Sequence, residues 1–283
     1  MELADDLSRS KTPGSHGAEG STFASYGAAT RLSRLRNSIS GRIVLVTLDA
    51  TLFSGPRNHL ASPARLLNDL LEEGPDALLG FPGLFLRAVP PDARVGRIVN
   101  GTASTTLDDP AHKVPTINPA GALALGADAV GLHILFGHPK SHEMLERAAE
   151  LIADLSLVGI PTMVAAYVVG DKSGAPREVA HAARVAVDLG AAIVKTAFTG
   201  DSASYARVVE SLDSVPLIAA GGPFESVERA LTIAHDATAA GSTGIAFGRT
   251  IFESQSPAKV LHALHRIVHE DASVPSVLRT LDS

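Results

Sequence analysis

The sequence predicts an α/β protein, namely a single (β/α)8 TIM barrel with a disordered N-terminal tail. Short apolar runs alternate with helical patterns from residue 42 to the end of the chain, and there are eight such runs. This alternation is typical of parallel strands with helices outside them. No reversal in strand order is evident, so eight units favour a closed barrel over a doubly wound sheet, which is the alternative.

The eight runs each have the length and composition of a buried strand. They cover residues 42–49, 76–83, 97–104, 128–137, 161–170, 191–198, 215–223 and 241–249. The helices between them carry end signals: Ser62 and Pro63 fit an N-cap and a first turn, and Gly159 and Gly190 fit positions just after a helix. The third unit is the weakest, because little helix fits between residues 104 and 128.

The first thirty residues differ from the rest of the chain. They are rich in Ser, Gly, Thr and Ala and show no apolar periodicity, which is typical of a flexible segment. Residues 31–37 fit a short amphipathic helix leading into the folded body. We therefore expect a flexible tail at 1–30 and a barrel domain at 31–283.

Composition limits the classes of function. A formal charge of −6 with no clustered basic face argues against nucleic-acid binding. The chain has no cysteine, which excludes disulfides, thiolate metal sites and cysteine nucleophiles. Neither a signal peptide nor a long apolar span is evident, so we expect a cytoplasmic protein without membrane contact. Barrels of this kind commonly form homo-oligomers, and we expect one here.

Three polar residues late in the predicted strands are candidates for catalysis, because active sites of this fold lie at the C-terminal ends of the strands. Lys195 shares one strand face with Ile193, and a lumen-facing amine has a lowered pKa and can attack a carbonyl to form a Schiff base. Tyr167 fits a proton donor and acceptor, and Asp49 fits a carboxylate that orients the substrate. The structural alternatives are a lysine whose head reaches water for Lys195, a half-buried ring for Tyr167 and a helix or turn cap for Asp49.

Glycine-rich turns follow the last two predicted strands, at residues 219–223 and 247–250. Backbone N–H groups of such turns can bind an anion, and Arg249 supplies a positive charge. Either turn alone is weak evidence, but two adjacent turns after strands seven and eight favour a phosphorylated substrate.

These features carry a resemblance to a known group of enzymes. From about residue 31 onward the chain resembles the archaeal-type class I fructose-bisphosphate aldolases and the related 2-amino-3,7-dideoxy-heptulosonate synthases, including the bacterial branch that makes the C7 precursor of 3-amino-4-hydroxybenzoate. The matching stretches are "DDPAHKV" (108–114), "LGADAVGLHI" (125–134), "GIPTMVAAY" (159–167), "EVAHAARVAVDLGAAIVKTAFTGD" (178–201), "VPLIAAGGP" (215–223), "GIAFGRTIFES" (244–254) and "IVHEDAS" (267–273).

The resemblance implies a role for each candidate residue. Lys195 would be the Schiff-base lysine, Tyr167 the acid/base and Asp49 the carboxylate of the first strand. A further set would hold the substrate phosphate: Gly221, Gly222, Gly248 and Arg249. The covalent imine on Lys195 would take the place of a cofactor or metal.

The chain departs from the family pattern in two places. Ala50 and Thr51 stand where the family usually has His-Gly after the strand-1 aspartate, which removes an imidazole and adds a Cβ. After Tyr167 the family often has Pro-Arg-Gly, and this chain reads "VVGD", without the basic residue.

The sequence leaves the roles of several basic side chains undecided. His133 on the fourth strand binds substrate oxygens if it faces the lumen, and otherwise is a satisfied core histidine. Lys113 either approaches the site or is a surface charge. His138 and His142 are four residues apart, but Pro139 interrupts a helix across them, so we predict no metal site.

The sequence thus predicts a Schiff-base aldolase that acts on a phosphorylated keto-compound, with dihydroxyacetone phosphate or a ketose phosphate as donor. A biosynthetic role of the C7 type is slightly preferred over a glycolytic-type fructose-bisphosphate aldolase. A sugar-phosphate-binding barrel without activity and a thiolase-like acyl transferase are the alternatives from other classes.

Overall fold

A computed structural model describes residues 23–281 of the chain. Eight parallel strands form a closed barrel in the order β1-β10-β9-β8-β7-β6-β3-β2, and β2 pairs with β1 to complete it. The barrel strands are β1 (Ile43–Thr47), β2 (Ala77–Gly80), β3 (Gly96–Asn100), β6 (Ala129–Phe136), β7 (Thr162–Val168), β8 (Ile193–Ala197), β9 (Leu217–Ala220) and β10 (Gly244–Phe247). Each lies within or overlaps one predicted run, so the predicted barrel is confirmed.

Helices cover the outside of the barrel and both of its ends. They are α1 (Phe23–Arg34), α2 (Ala50–Ser54), α3 (Pro63–Glu73), α4 (Pro82–Ala88), α5 (Pro119–Ala124), α6 (Ser141–Leu157), α7 (Pro176–Asp188), α8 (Ser202–Glu210), α9 (Val227–Ala239), α10 (Arg249–Phe252), α11 (Pro257–Glu270) and α12 (Val274–Leu281), with a 3₁₀ turn at Asn58–Ala61. Pro63 begins α3 as predicted and Ser62 precedes it, but the Ser62 side chain makes no capping hydrogen bond. No helix within residues 23–281 is long and apolar enough to cross a membrane.

Side-chain alternation along the strands separates two apolar layers. Ile193 packs inside the barrel with Met163 and Ile218, whereas Val194 belongs to the layer between the sheet and the helices. Because both faces of each strand are buried, the strands read as continuous apolar runs. The same alternation puts Lys195 on the inner face, two residues beyond Ile193.

The first described helix closes the N-terminal end of the barrel. The Arg31 guanidinium donates hydrogen bonds to the carbonyls of Ala127 (3.3 Å) and Gly159 (3.2 Å), and Leu32 packs against the inner layer. Helix α1 begins at Phe23, so residues 23–30 are helical although we predicted them to belong to the tail. Alanines and the anchoring by Arg31 outweigh the polar composition there. The rest of the predicted tail, residues 1–22, lies outside the described residues.

The third unit departs from a regular strand and helix, as its sequence indicated. Strand β3 is followed by a small antiparallel hairpin of β4 (Thr102–Ala103) and β5 (Val114–Pro115), and only then by the six-residue helix α5. Thr106 N–H donates to the Phe53 carbonyl at 2.8 Å, which ties this loop to α2. The hairpin therefore lies over the C-terminal end of the barrel.

Candidate active site

A cavity of about 700 Å³ opens at the C-terminal end of the barrel. It brings together side chains or backbone from the ends of strands that are far apart in sequence. All eight predicted site residues line it: Asp49, His133, Tyr167, Lys195, Gly221, Gly222, Gly248 and Arg249. The predicted residues therefore share one cavity.

Lys195 lies in β8 with its side chain 6% exposed. Its neighbours across the sheet are Ala165 on β7 and Ile218 on β9, which are small or apolar. The Lys195 amine has no hydrogen-bond or ion-pair partner within residues 23–281. Lys195 as a whole is buried, and it lines the cavity instead of extending to the outer surface of the barrel.

Asp49 directly follows the first barrel strand and its extension at Leu48. Although Asp49 precedes helix α2, its carboxylate makes no capping hydrogen bond. It instead accepts a hydrogen bond of 3.2 Å from Asn100 Nδ2, and Asn100 is itself 5% exposed at the end of β3. The helix-cap alternative for Asp49 is therefore wrong, and Asn100 fixes the direction of the carboxylate.

Tyr167 and His133 lie side by side on neighbouring strands. Their ring centroids are 5.6 Å apart and the rings meet edge to face. Burial, together with the positive charges of Lys195 and Lys113, lowers the pKa of His133 to about 4, although Asp49 acts in the opposite direction. His133 is consequently neutral near pH 7 and can donate or accept a hydrogen bond at the cavity wall.

The two glycine turns flank the opening next to β9 and β10. Gly222 has a φ of +69°, in the left-handed region that favours glycine, and its N–H has no hydrogen-bond partner within residues 23–281. The N–H of Gly221 already donates to the Ala246 carbonyl at 3.3 Å. A Cβ at Gly221 would meet the Phe247 ring at 2.8 Å, so this residue supplies space and not a donor.

Gly248 and Arg249 form the second turn. A Cβ at Gly248 would collide with the Thr47 carbonyl, so no other residue fits this close approach of backbone to β1. Arg249 lines the cavity and is exposed, which leaves its guanidinium in contact with water.

The altered loop after β1 affects the cavity less than its sequence suggested. Ala50 lines the catalytic cavity in the position after Asp49, but Thr51 lines a neighbouring groove. The Cβ that Thr51 adds therefore lies outside this cavity. Arg57, which pairs with Glu253 at 3.5 Å, also lines the cavity and supplies a positive charge from this side.

Sequence reasoning missed or left open three residues of the site. Asn100 ends a strand, so the search for polar residues late in strands would have found it. Lys113 is buried and lines the cavity, and the surface alternative for it is wrong. Arg57 carries no signal in the sequence, because its place depends on the path of a loop.

His138 lies in the loop after β6 and His142 lies in α6, so the two do not share one helix. Within the described residues, no group of three or more His, Asp or Glu side chains could hold a metal ion. His138 lines the cavity and its Nδ1 accepts a hydrogen bond of 3.1 Å from the Lys140 N–H.

A barrel with a buried lysine at its C-terminal mouth is the arrangement of a class I aldolase. Residues 43–254 match the DeoC/LacD family of aldolases, and the chain belongs to this family. It is an enzyme of the carbon–carbon lyase type. Its class reacts through a Schiff base on lysine, without a metal or cofactor.

The similar proteins include two kinds of enzyme, judged by their names. The chain is 32% identical to the 2-amino-3,7-dideoxy-D-threo-hept-6-ulosonate synthase of Halobacterium salinarum over 89% of this chain and 95% of that protein. It is also 32% identical to the 2-amino-4,5-dihydroxy-6-oxo-7-(phosphonooxy)heptanoate synthase of Streptomyces griseus over 88% and 93%. An archaeal fructose 1,6-bisphosphate aldolase, whose catalytic lysine was seen bound to the carbinolamine intermediate, superimposes with a TM-score of 0.78, 27% identity and coverage of 86% and 99%.

Proposed function

We propose that this protein is an aldolase that forms a C–C bond between a phosphorylated ketone donor and an aldehyde, through an imine on Lys195. The donor is dihydroxyacetone phosphate or a ketose phosphate that releases it. The observation that carries the proposal is the buried, unpaired Lys195 amine in a cavity shared with Tyr167 and Asp49.

The reaction begins at the ketone carbon of the donor. The Lys195 amine adds to this carbon and water leaves, which gives an iminium ion. A base in the cavity, Tyr167 or Asp49, takes a proton from the neighbouring carbon, which gives an enamine, and the enamine carbon attacks the aldehyde. Water then hydrolyses the imine and returns the amine. Cleavage runs through the same steps in reverse.

Each of the other residues has a role in this series of reaction steps. The Tyr167 hydroxyl gives a proton to the aldehyde oxygen as it becomes a hydroxyl, and takes it back in cleavage. Asp49, held by Asn100, orients the donor hydroxyl and assists proton transfer during imine formation. The neutral His133 offers a hydrogen bond to a substrate oxygen beside Tyr167.

The substrate phosphate lies against the two glycine turns. Gly222 offers a free N–H, Gly221 and Gly248 allow close approach, and Arg249 adds a positive charge. An exposed arginine contributes less to binding than a buried one.

The physiological role that we favour is biosynthetic, making a C7 precursor. This choice rests on two relatives of this kind at 32% identity, each covered over more than nine-tenths of its length. A glycolytic-type fructose-bisphosphate aldolase is the second candidate, and the similarity to the archaeal enzymes supports it. Cytoplasmic location and a homo-oligomeric state stay predictions.

Borohydride trapping tests the proposal. The protein is incubated with dihydroxyacetone phosphate, reduced with sodium borohydride, and analysed by intact mass and peptide mapping. We expect one reduced adduct on the peptide that contains Lys195, and no adduct in Lys195→Met. Lys172→Met, which replaces an exposed lysine, is the matched control and retains the adduct.

Three results would contradict the proposal. An adduct on Lys113, the other buried lysine of the cavity, would move the imine to a different residue. Ligand stabilisation of a folded protein without any adduct would favour a sugar-phosphate-binding barrel. A product that forms only with an acyl-coenzyme A would favour the thiolase-like acyl transferase.

A further inference from the structure

Lys113 is a second buried lysine in the cavity, and the reaction proposed above gives it no role. Its side chain is 8% exposed and lies in the loop between β4 and β5. The Nζ atom donates a hydrogen bond of 2.6 Å to Ser104 Oγ and lies 5.7 Å from the centre of the Phe53 ring. Both Lys113 and Ser104 line the catalytic cavity.

The charge of Lys113 is only partly compensated by the protein. An ammonium group has three N–H donors, and within residues 23–281 its hydrogen-bond acceptor is Ser104 alone, with no carboxylate in ion-pair contact. Asp49 acts on it through space, but the Asp49 carboxylate accepts its hydrogen bond from Asn100. Burial therefore lowers the pKa of Lys113, and the Asp49 charge opposes this only in part. A buried cation of this kind is stabilised when an anion binds.

The position of Lys113 fits the far end of a substrate. In the eight-stranded ring β3 lies opposite β9, because four steps separate them in either direction. Lys113 is in the loop that follows β3, and Gly222 is in the turn that follows β9. A substrate whose phosphate lies against Gly222 and whose ketone meets Lys195 on β8 extends across the mouth towards Lys113. The cavity of about 700 Å³ includes residues of both loops.

We propose that Lys113, supported by Ser104, binds an anionic group on the acceptor aldehyde and so selects acceptors that carry a carboxylate or a phosphate. The inference rests on the proposed aldolase function and names the acceptor's chemical class. In this proposal Lys113 binds the acceptor aldehyde, whereas Lys195 forms the imine with the donor ketone.

The experiment compares charged acceptors with counterparts that lack only the anionic group. Glyceraldehyde 3-phosphate is paired with glyceraldehyde, and aspartate 4-semialdehyde with 3-aminopropanal, each with dihydroxyacetone phosphate as donor. The quantity measured is kcat/KM for the charged acceptor divided by that for its counterpart. The variants are Lys113→Met, Ser104→Ala and the control Lys140→Met, whose lysine pairs with Asp109 at 2.6 Å near the same mouth.

We expect the wild type to prefer the charged member of at least one pair, and that pair identifies carboxylate or phosphate as the anion. Lys113→Met lowers this preference about 10- to 100-fold, the range for hydrogen bonds to charged groups. Ser104→Ala lowers it by a smaller factor of about 2- to 10-fold, and Lys140→Met leaves it unchanged. The Lys195 adduct with dihydroxyacetone phosphate still forms in all three variants.

Results that contradict the role of Lys113 differ from results that contradict the aldolase proposal. An unchanged preference in Lys113→Met, or a wild type without preference in both pairs, would overturn the role of Lys113. Equal losses for charged and uncharged acceptors would assign Lys113 to the reaction steps and also overturn it. If Lys113→Met does not fold, the Ser104→Ala ratio decides. A wild type that forms no imine at all would overturn the aldolase proposal itself.

Discussion

At the scale of single residues, His133 shows how the charges of this site interact. It lies in a partly buried position beside Tyr167, and burial and the positive charges of Lys195 and Lys113 act together to lower its pKa to about 4. A histidine in the unfolded chain has a pKa near 6.5. The folded and unfolded states therefore bind different numbers of protons between these two values.

This difference predicts a pH dependence of stability. As pH falls from about 6.5 to about 4, the unfolded chain takes up a proton on His133 and the folded chain does not, so the free energy of unfolding decreases. This decrease in the free energy of unfolding approaches about 3 kcal/mol, and it levels off below the pKa of His133 in the folded protein. Urea unfolding of wild type and His133→Gln across this range measures it, with the exposed His142→Gln as control. A difference between wild type and His133→Gln that stays constant with pH would contradict the lowered pKa.

The three catalytic candidates that sequence reasoning found differ in one physical respect from Lys113, whose place it left open. Lys195, Tyr167 and Asp49 belong to a strand or directly follow one, so the barrel fixes where they point. Lys113 lies in a loop, and only the hairpin of β4 and β5 and the contact of its loop with α2 bring it into the cavity. Local sequence gives the residue type but not the depth of a loop side chain.

At the scale of elements, helix α1 shows why a boundary predicted from composition was wrong. The contacts that hold α1 lie in the loop before β6 and at the end of α6, more than ninety positions away in sequence. A local pattern carries no trace of such partners. The eight strands were predictable because their burial on both faces leaves a local signal in every case.

The packing of α1 predicts a difference between two glycines. Gly159 and Gly74 have φ of +67° and +70°, so an alanine at either position is strained by about 1–2 kcal/mol. A Cβ at Gly74 meets nothing within 4 Å, whereas at Gly159 it would strike the backbone of Ala24 in α1. We expect Gly159→Ala to lower the free energy of unfolding clearly more than Gly74→Ala does in urea titrations. Equal losses would mean that α1 adds no stability at this contact.

At the scale of the whole molecule, the two ends of the barrel have different roles. The C-terminal end holds the cavity with its buried lysines, while the N-terminal end holds contacts between neighbouring elements. There, Asp76 accepts a hydrogen bond of 2.6 Å from the Val44 N–H and lies 3.1 Å from His269 Nε2. These contacts join the start of β1 and the start of β2 to the end of α11. In this fold such residues serve stability and those at the other end serve catalysis.

Two aspartates at opposite ends of the barrel make this division measurable. Asp76→Ala leaves the buried Val44 N–H without an acceptor, so we expect a loss of about 1–3 kcal/mol in unfolding free energy. Its rate of imine formation, measured well below the unfolding temperature, stays near that of the wild type. Asp49→Ala loses one hydrogen bond to Asn100 at the cavity wall, worth about 1 kcal/mol, but imine formation slows about 100-fold or more because proton transfer loses its carboxylate. If Asp76→Ala slowed imine formation as much as Asp49→Ala does, the two ends would be coupled, and the catalytic geometry would depend on the contacts that close the barrel from below.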